Sequence, residues 1–168
     1  RKSTSSKYYS DIYAARVTGN GAVLDPNGIA VCAQTNSQYH PAVAANGTNY
    51  LVVWDDEVGG QYTGTWDSFG QLVSPTGSLV GGRITITTDP GPQLVTSVAS
   101  DGVNFLAVWM DMQNGTNWDV YGQHISGTGA VIGGKIEPVA EGGRRKIDLP
   151  VFRLAEVHLP GHRPIGRP

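Results

Sequence analysis

The chain has 168 residues, enough for one ordinary domain, and its 23 glycines favour short strands and tight turns over long helices. Its net charge of −2 is uneven, because residues 11–141 hold three basic and twelve acidic side chains while residues 142–168 hold six basic and two acidic ones. The acidic body excludes a nucleic-acid backbone as its partner, a single cysteine excludes an internal disulfide, and no apolar stretch is long enough for a membrane span.

The start of the chain is polar and predicts half of a structural unit behind a short leader. Residues 1–8 are expected to be disordered, with no signal peptide visible. Residues 9–34 supply two strands, at about 8–17 and 29–33, and we interpret them as the last two strands of a four-stranded unit.

Two complete units follow, over residues 41–88 and 95–140, and each predicts four short strands. In the first unit we expect strands at 41–45, 50–55, 65–74 and 83–88. In the second we expect them at 96–100, 105–110, 118–126 and 135–139. Asn46-Gly47 and Asp101-Gly102 are strong two-residue hairpin signals between the first and second strands of each unit.

The end of the chain differs from the rest. Residues 141–168 form a basic tail rich in proline and arginine, and only Pro150-Val151-Phe152 weakly resembles a first strand, so we expect part of the tail to be a further strand. A truncated repeat gene joined to unrelated coding sequence, with no intact function, is an alternative interpretation of the abrupt change in composition.

An internal repeat supports this division. Residues 43–54 align without a gap with residues 98–109, at an offset of 55 and with seven of twelve positions identical. A block that begins with an aspartate and continues as a strand starts at Asp11, Asp67 and Asp119, and ten residues after each aspartate lies a glycine. Three blocks that keep their order and nearly their spacing indicate tandem units of about 55 residues.

The units resemble the tandem repeats of bacterial and archaeal secreted or cell-surface proteins that are similar to β-propellers. The motifs that carry the resemblance are the Ala-Asn/Asp-Gly turn, the Tyr/Phe-Leu-x-Val-Trp strand and the Asp-Ile/Val-Tyr-Gly-Gln segment. Those repeats often carry an arginine soon after the Trp-x-Asp, whereas here Asp56 is followed by Glu57 and Asp111 by Met112.

The resemblance implies an all-β, propeller-like fold with about two and a half four-stranded blades per chain. Because a ring usually needs at least four blades, we expect either a homodimer that completes a five-bladed ring or a fragment of a longer propeller. The resemblance also implies a secreted or cell-surface location. Propeller folds host binding, scaffolding and catalysis alike, so the function is our own interpretation: a non-catalytic module that binds an unidentified ligand, such as a carbohydrate or another cell-surface component.

Four aspartates recur with the repeat and form one candidate site. Asp56 and Asp111 lie in register with each other, two residues after the tryptophan of each unit, and Asp67 and Asp119 open the next strand. Clustered oxygens at strand ends could hold a structural calcium ion, which takes six to eight oxygen ligands. The alternative is that each aspartate caps a turn within its own unit.

The aromatic residues beside turns form a second candidate site. We expect Trp66 and Trp118, with Tyr62, to provide an exposed platform for a carbohydrate, while Trp54 and Trp109 belong to the core. A carboxylate-based glycoside hydrolase of the five-bladed propeller type is the alternative function, for which the non-repeated acids Asp55 and Glu57 are the residues to test.

Overall fold

The computed structural model describes residues 9–58, 64–112, 117–141 and 144–146. The described part of the chain is all-β, and it contains no helix long and apolar enough to cross a membrane. Its strands are β1 (Ile12–Ala14), β2 (Ile29–Cys32), β3 (Gln38–Ala45), β4 (Tyr50–Glu57), β5 (Trp66–Val73), β6 (Leu79–Thr87), β7 (Gln93–Ser100), β8 (Phe105–Asp111), β9 (Asp119–Ile125), β10 (Val131–Ile136), β11 (Val139–Glu141) and β12 (Arg144–Lys146).

The strands form antiparallel meanders in which chain neighbours pair. Strands β3 to β6 form a four-stranded sheet, here called sheet 1, and β7 to β10 form a second one, sheet 2. The pair β1–β2 and the hairpin β11–β12 are separate two-stranded sheets. The predicted all-β class is therefore confirmed, and in chain order the pair β1–β2 is followed by two four-stranded sheets.

Several strands begin earlier in the chain than predicted. β3 and β7 begin three residues earlier than expected, at Gln38 and Gln93, because each contains a bulge that interrupts the alternation on which the prediction rested. β6 and β10 begin four residues early, with a glycine of positive φ at Gly81 and at Gly133. The hairpin β11–β12 was not predicted, and it spans the expected boundary between the repeats and the tail.

The predicted hairpin turns occur, but each connection has four residues rather than two. The Asn46 side-chain oxygen accepts hydrogen bonds from the backbone N–H groups of residues 48 and 49, at 3.0 and 2.8 Å. Asp101 does the same for residues 103 and 104, at 2.8 and 2.7 Å, and these bonds lower the pKa of its carboxyl. The Asn and Asp residues therefore act by bonding backbone donors, while Gly47 and Gly102 adopt the positive φ.

The sheets are stacked on one another, and the same two faces meet at both contacts between neighbouring sheets. We call face A the side of sheet 1 that carries Leu51 and Val53, and face B the side that carries Val52 and Trp54. In sheet 2, face A and face B are the sides that carry the residues aligned with these positions at the repeat offset of 55. Face A of sheet 1 packs against face B of sheet 2 in one core cluster. Face B of sheet 1 packs against Ile12 and the β2 residues in a second cluster. We call the contact between sheets 1 and 2 the seam, and the candidate site lies at its polar end.

Three regions for which the sequence makes predictions lie outside the described residues. These are the predicted leader, residues 1–8, the segment that contains Tyr62, and all of the tail after residue 146, including the proposed strand near Pro150.

Candidate functional site

The structure brings the four predicted calcium ligands together as two separate pairs. Asp56 lies directly opposite Asp67 across β4 and β5, and Asp111 lies directly opposite Asp119 across β8 and β9. The two pairs belong to different sheets. Within the described ranges, no three His, Cys, Asp or Glu side chains are arranged to hold a metal ion.

The pair in sheet 1 is balanced by a basic side chain from the outermost strand. Arg83 places its guanidinium 3.2 Å from Asp56 and 4.0 Å from the centre of the Phe69 ring. Burial raises the pKa of Asp56, and burial followed by the charge of Asp56 raises the pKa of Asp67. The basic partner of Asp56 thus comes from β6, the fourth strand of the sheet, and not from the residues that directly follow Trp54 and Asp56.

Sheet 2 repeats the cation above an aromatic ring, with a lysine in place of the arginine. Lys135 aligns with Arg83 at an offset of 52 and lies 4.4 Å from the centre of the Tyr121 ring, and it contacts Asp89, in the connection before β7, at 2.5 Å. A cation above an aromatic ring that recurs in both sheets has the character of a packing element rather than of a single binding site.

A different cluster, present only in sheet 1, centres on Asp55. This carboxylate is 0% exposed, and two β-bulges on different sheets converge on it. From the β7 bulge, Thr96 donates its backbone N–H and its hydroxyl to Oδ1 of Asp55, at 3.1 and 2.6 Å. The Thr96 hydroxyl also lies 2.5 Å from that of the fully buried Ser68. Asp55 therefore joins sheet 1 to sheet 2.

The β3 bulge places His40 on the other oxygen of the same carboxylate. Its Nδ1 lies 2.8 Å from Oδ2 of Asp55, and its side chain is 57% exposed. His40 has a φ of 52°, a left-handed conformation that is uncommon for residues other than glycine. With Nδ1 held by the carboxylate, the ring orientation is fixed and Nε2 is the nitrogen left to meet a ligand.

An aromatic pair borders this histidine. Tyr39 and Trp66 lie with ring centres 5.5 Å apart at 56°, and the Tyr39 ring is 6.3 Å from His40. Tyr39 is 40% exposed and Trp66 is half-buried. We call Tyr39, His40, Asp55 and Trp66 the seam site.

Comparison with protein-family models, with curated proteins and with solved structures finds no match to this chain. The seam site is therefore interpreted from its own geometry.

The positions that align with the seam site in sheet 2 lack its chemistry. At an offset of 55, Leu94 takes the place of Tyr39, and Met110 takes the place of Asp55. Trp118 occupies the position of Trp66 and is 40% exposed, but the described residues show no aromatic partner beside it. Only sheet 1 thus combines the aromatic platform with the buried carboxylate and the histidine.

Of the predicted carbohydrate platform, the structure places Trp66 at the seam site and Trp118 directly before β9 of sheet 2, at the aligned position of the next unit. His40, which completes the seam site together with Tyr39, was not among the predicted ligands. The signal that could have found them was the same offset of 55 continued towards the N-terminus of the aligned block, where Tyr39 and His40 align with the apolar Leu94 and Val95.

Proposed function

We propose that this chain is a carbohydrate-binding module and that the seam site is its ligand site. The observation that carries the proposal is the exposed Tyr39 ring beside Trp66 and His40, in a cluster that the second unit does not repeat. Ligand sites combine apolar and aromatic walls with a few well-placed polar groups. Repetition favours a packing role, so the non-repeated cluster is the stronger candidate for recognition.

The chemistry of the site suits a neutral sugar. Aromatic rings offer flat apolar surfaces for the C–H faces of a pyranose, and the exposed nitrogen of His40 can exchange a hydrogen bond with a ring hydroxyl. Asp55 orients His40 from beneath. Because residues 11–141 contain twelve acidic and three basic side chains, long-range repulsion disfavours polyanionic ligands.

The geometry of Asp55 favours binding over hydrolysis. Asp55 and Glu57 lie on the same face of β4, two residues apart, and are 0% and 3% exposed. Both oxygens of Asp55 already bond to Thr96 and His40. A glycosidase nucleophile needs an oxygen that reaches the sugar, so we assign Asp55 the role of positioning His40.

We also infer that the stacked sheets are consecutive blades of a propeller-like assembly, completed by a second copy of the chain. Two observations support this proposal: the same faces meet at each junction, and the four-stranded sheets have meander topology. A secreted or cell-surface location fits the same proposal and stays a prediction. Light scattering over a range of concentrations tests the second copy, since a monomer at every concentration contradicts it.

The ligand proposal is tested by titrating the full chain with neutral cello-, xylo-, manno- and chito-oligosaccharides while following tryptophan fluorescence. We expect saturable binding of at least one series, and Tyr39→Ala to weaken it about tenfold or more, a loss of roughly 1.4 kcal/mol. Tyr50→Ala is the matched control, because Tyr50 is 41% exposed and Tyr39 is 40% exposed. Equal losses in both variants, or no binding by any series, would refute the assignment.

A further inference from the structure

The charges around the seam site narrow the kind of sugar that it prefers. Residues 54–68, which supply two of the four side chains of the site, contain four acidic side chains and no basic one. Two of these acids adjoin the aromatic pair, because Glu57 lies opposite Trp66 across β4 and β5 and Asp67 follows Trp66 in the chain. Arg83, from β6, forms an ion pair with one of the four. The surroundings of the site therefore carry an excess of negative charge, which attracts cationic ligands.

The contact with Asp55 decides what His40 offers to a ligand. Carboxylate oxygens accept hydrogen bonds, so Nδ1 of His40 donates to Oδ2 of Asp55 at 2.8 Å. In an uncharged imidazole one nitrogen donates and the other accepts, and Nε2 of His40 is therefore an acceptor. A ligand group that bonds to Nε2 must bring a hydrogen, as hydroxyl and ammonium groups do.

The aromatic pair distinguishes these two groups. Tyr39 and Trp66 have ring centres 5.5 Å apart and are tilted by 56°, so neither ring face is fully covered by the other ring. Tyr39 is 40% exposed, and its ring centre is 6.3 Å from that of His40. The face of an aromatic ring is electron-rich and attracts a nearby cation. An ammonium group beside these rings thus gains an attraction that a hydroxyl group lacks.

We propose that the seam site prefers sugars that carry a free amino group, such as glucosamine oligomers, over sugars that have a hydroxyl in its place. The ammonium group donates to Nε2 of His40, the aromatic rings and the acidic surroundings attract its charge, and the C–H face of the sugar packs on Tyr39. A hydroxyl satisfies the same acceptor without the charge, so uncharged sugars bind more weakly. The inference rests on the carbohydrate proposal and adds to it the group that is recognised.

Three tetrasaccharides of the same linkage test the preference, because they differ in one group of each sugar ring. The group is an amine in the glucosamine tetramer, an acetamide in its N-acetylated form and a hydroxyl in cellotetraose. Titration of the full chain in neutral buffer of low ionic strength, followed by tryptophan fluorescence, gives the three dissociation constants. We expect the glucosamine tetramer to bind about tenfold or more tightly than either of the others. This preference should shrink severalfold in about 1 M salt, where charges are screened over roughly 3 Å.

Variants separate the acceptor from the general charge of the protein. His40→Asn removes Nε2 but keeps a residue type that tolerates the φ of 52° at this position. We expect it to reduce the preference for the amine over the hydroxyl about threefold or more. Asp101→Asn is the charge control, because it removes one exposed carboxylate in the turn after β7 and leaves a side-chain oxygen for the backbone donors of that turn. The control should leave the preference unchanged.

Tetralysine separates recognition of an amino sugar from adhesion of any polycation to an acidic protein. It should bind at least about tenfold more weakly than the glucosamine tetramer, and Tyr39→Ala should weaken binding of the tetramer but not of tetralysine. The inference is overturned if cellotetraose or the N-acetylated tetramer binds as tightly as the glucosamine tetramer, and the carbohydrate proposal then stands. Equal binding of tetralysine also overturns it, since charge alone then explains the preference. Binding of no sugar of any series refutes both proposals.

Discussion

The hydroxyl of Thr96 is predicted to hold the two sheets together, and Thr96→Val isolates its contribution. Valine keeps the branched shape of threonine and the backbone N–H that donates to Asp55, so the substitution removes only the hydroxyl. That hydroxyl makes two contacts, at 2.6 Å to the buried carboxylate and at 2.5 Å to Ser68.

The magnitude follows from the burial of the groups left behind. A hydrogen bond to a charged partner contributes about 1.5–3 kcal/mol, and a buried hydroxyl left without a partner costs roughly 1 kcal/mol more. Because Asp55 and Ser68 are both 0% exposed, water cannot replace the lost donor without opening the seam. We therefore expect Thr96→Val to lower the free energy of unfolding by about 2–4 kcal/mol.

Urea denaturation followed by tryptophan fluorescence and circular dichroism measures this loss. The matched control is Thr76→Val, because the Thr76 hydroxyl also lies within 2.8 Å of a serine hydroxyl, that of Ser74, but at an exposed turn. The control should change stability by less than about 0.5 kcal/mol. If the two variants lose similar amounts, the reasoning that the seam depends on a buried hydrogen-bond network is wrong.

Three further outcomes are expected. Asp67→Asn should raise the free energy of unfolding at pH 7 by about 0.5 kcal/mol, because Asp67 lies directly opposite Asp56 and the two negative charges repel each other. The pKa of Asp67 is raised in the folded protein, so this side chain is protonated at pH ~3 in the wild type as well. Urea denaturation at that pH should therefore show no difference in stability between the variant and the wild type. The hydrogen bond from Arg16 lowers the pKa of Asp25 from 3.8 to about 2. The pair therefore stabilises the fold at pH values above the ordinary pKa of Asp25, and this stabilisation is lost as the pH falls through about 2. Asp25→Asn should have a lower free energy of unfolding than the wild type at neutral pH, and the two free energies should become equal in acid. Leu51→Ala, at a position 0% exposed, should cost about 3–4 kcal/mol in a thermal or urea melt, and a cost below 1 kcal/mol would contradict its place in the core.

Much of the strand order was predictable because turn chemistry is local. The connection after β3 begins with Asn46 and that after β7 with Asp101, and each side chain bonds the backbone of its own turn. Such bonds depend on neighbouring residues alone, so the sequence pattern carries them. The central strands β4 and β8 were also predictable, since continuous apolar runs are typical of strands covered on both faces.

The seam site could not be predicted from alternation, because both of its bulges break the period of two. In β3, Tyr39 pairs with Asp55 and Ala42 with Val53, so two residues of β3 lie opposite Trp54 alone. The extra residue turns His40 towards the carboxylate, and no pattern of hydrophobicity encodes that turn. The partner of Asp55 in sheet 2 was equally hidden, since Thr96 lies 41 residues away in the chain.

The difference between positions 55 and 110 shows that the neighbouring sheet affects which side chain an aligned position can hold. Aligned residues of two units share a backbone environment within their own sheet, yet the neighbouring layer differs. Asp55 can be fully buried because the next layer offers the N–H and hydroxyl of Thr96. Met110 has the same place in sheet 2 but carries a side chain that requires no hydrogen bond from the layer above it. Polar residues that take the place of apolar ones in an aligned unit therefore indicate where two particular layers meet, and the seam site lies at such a place.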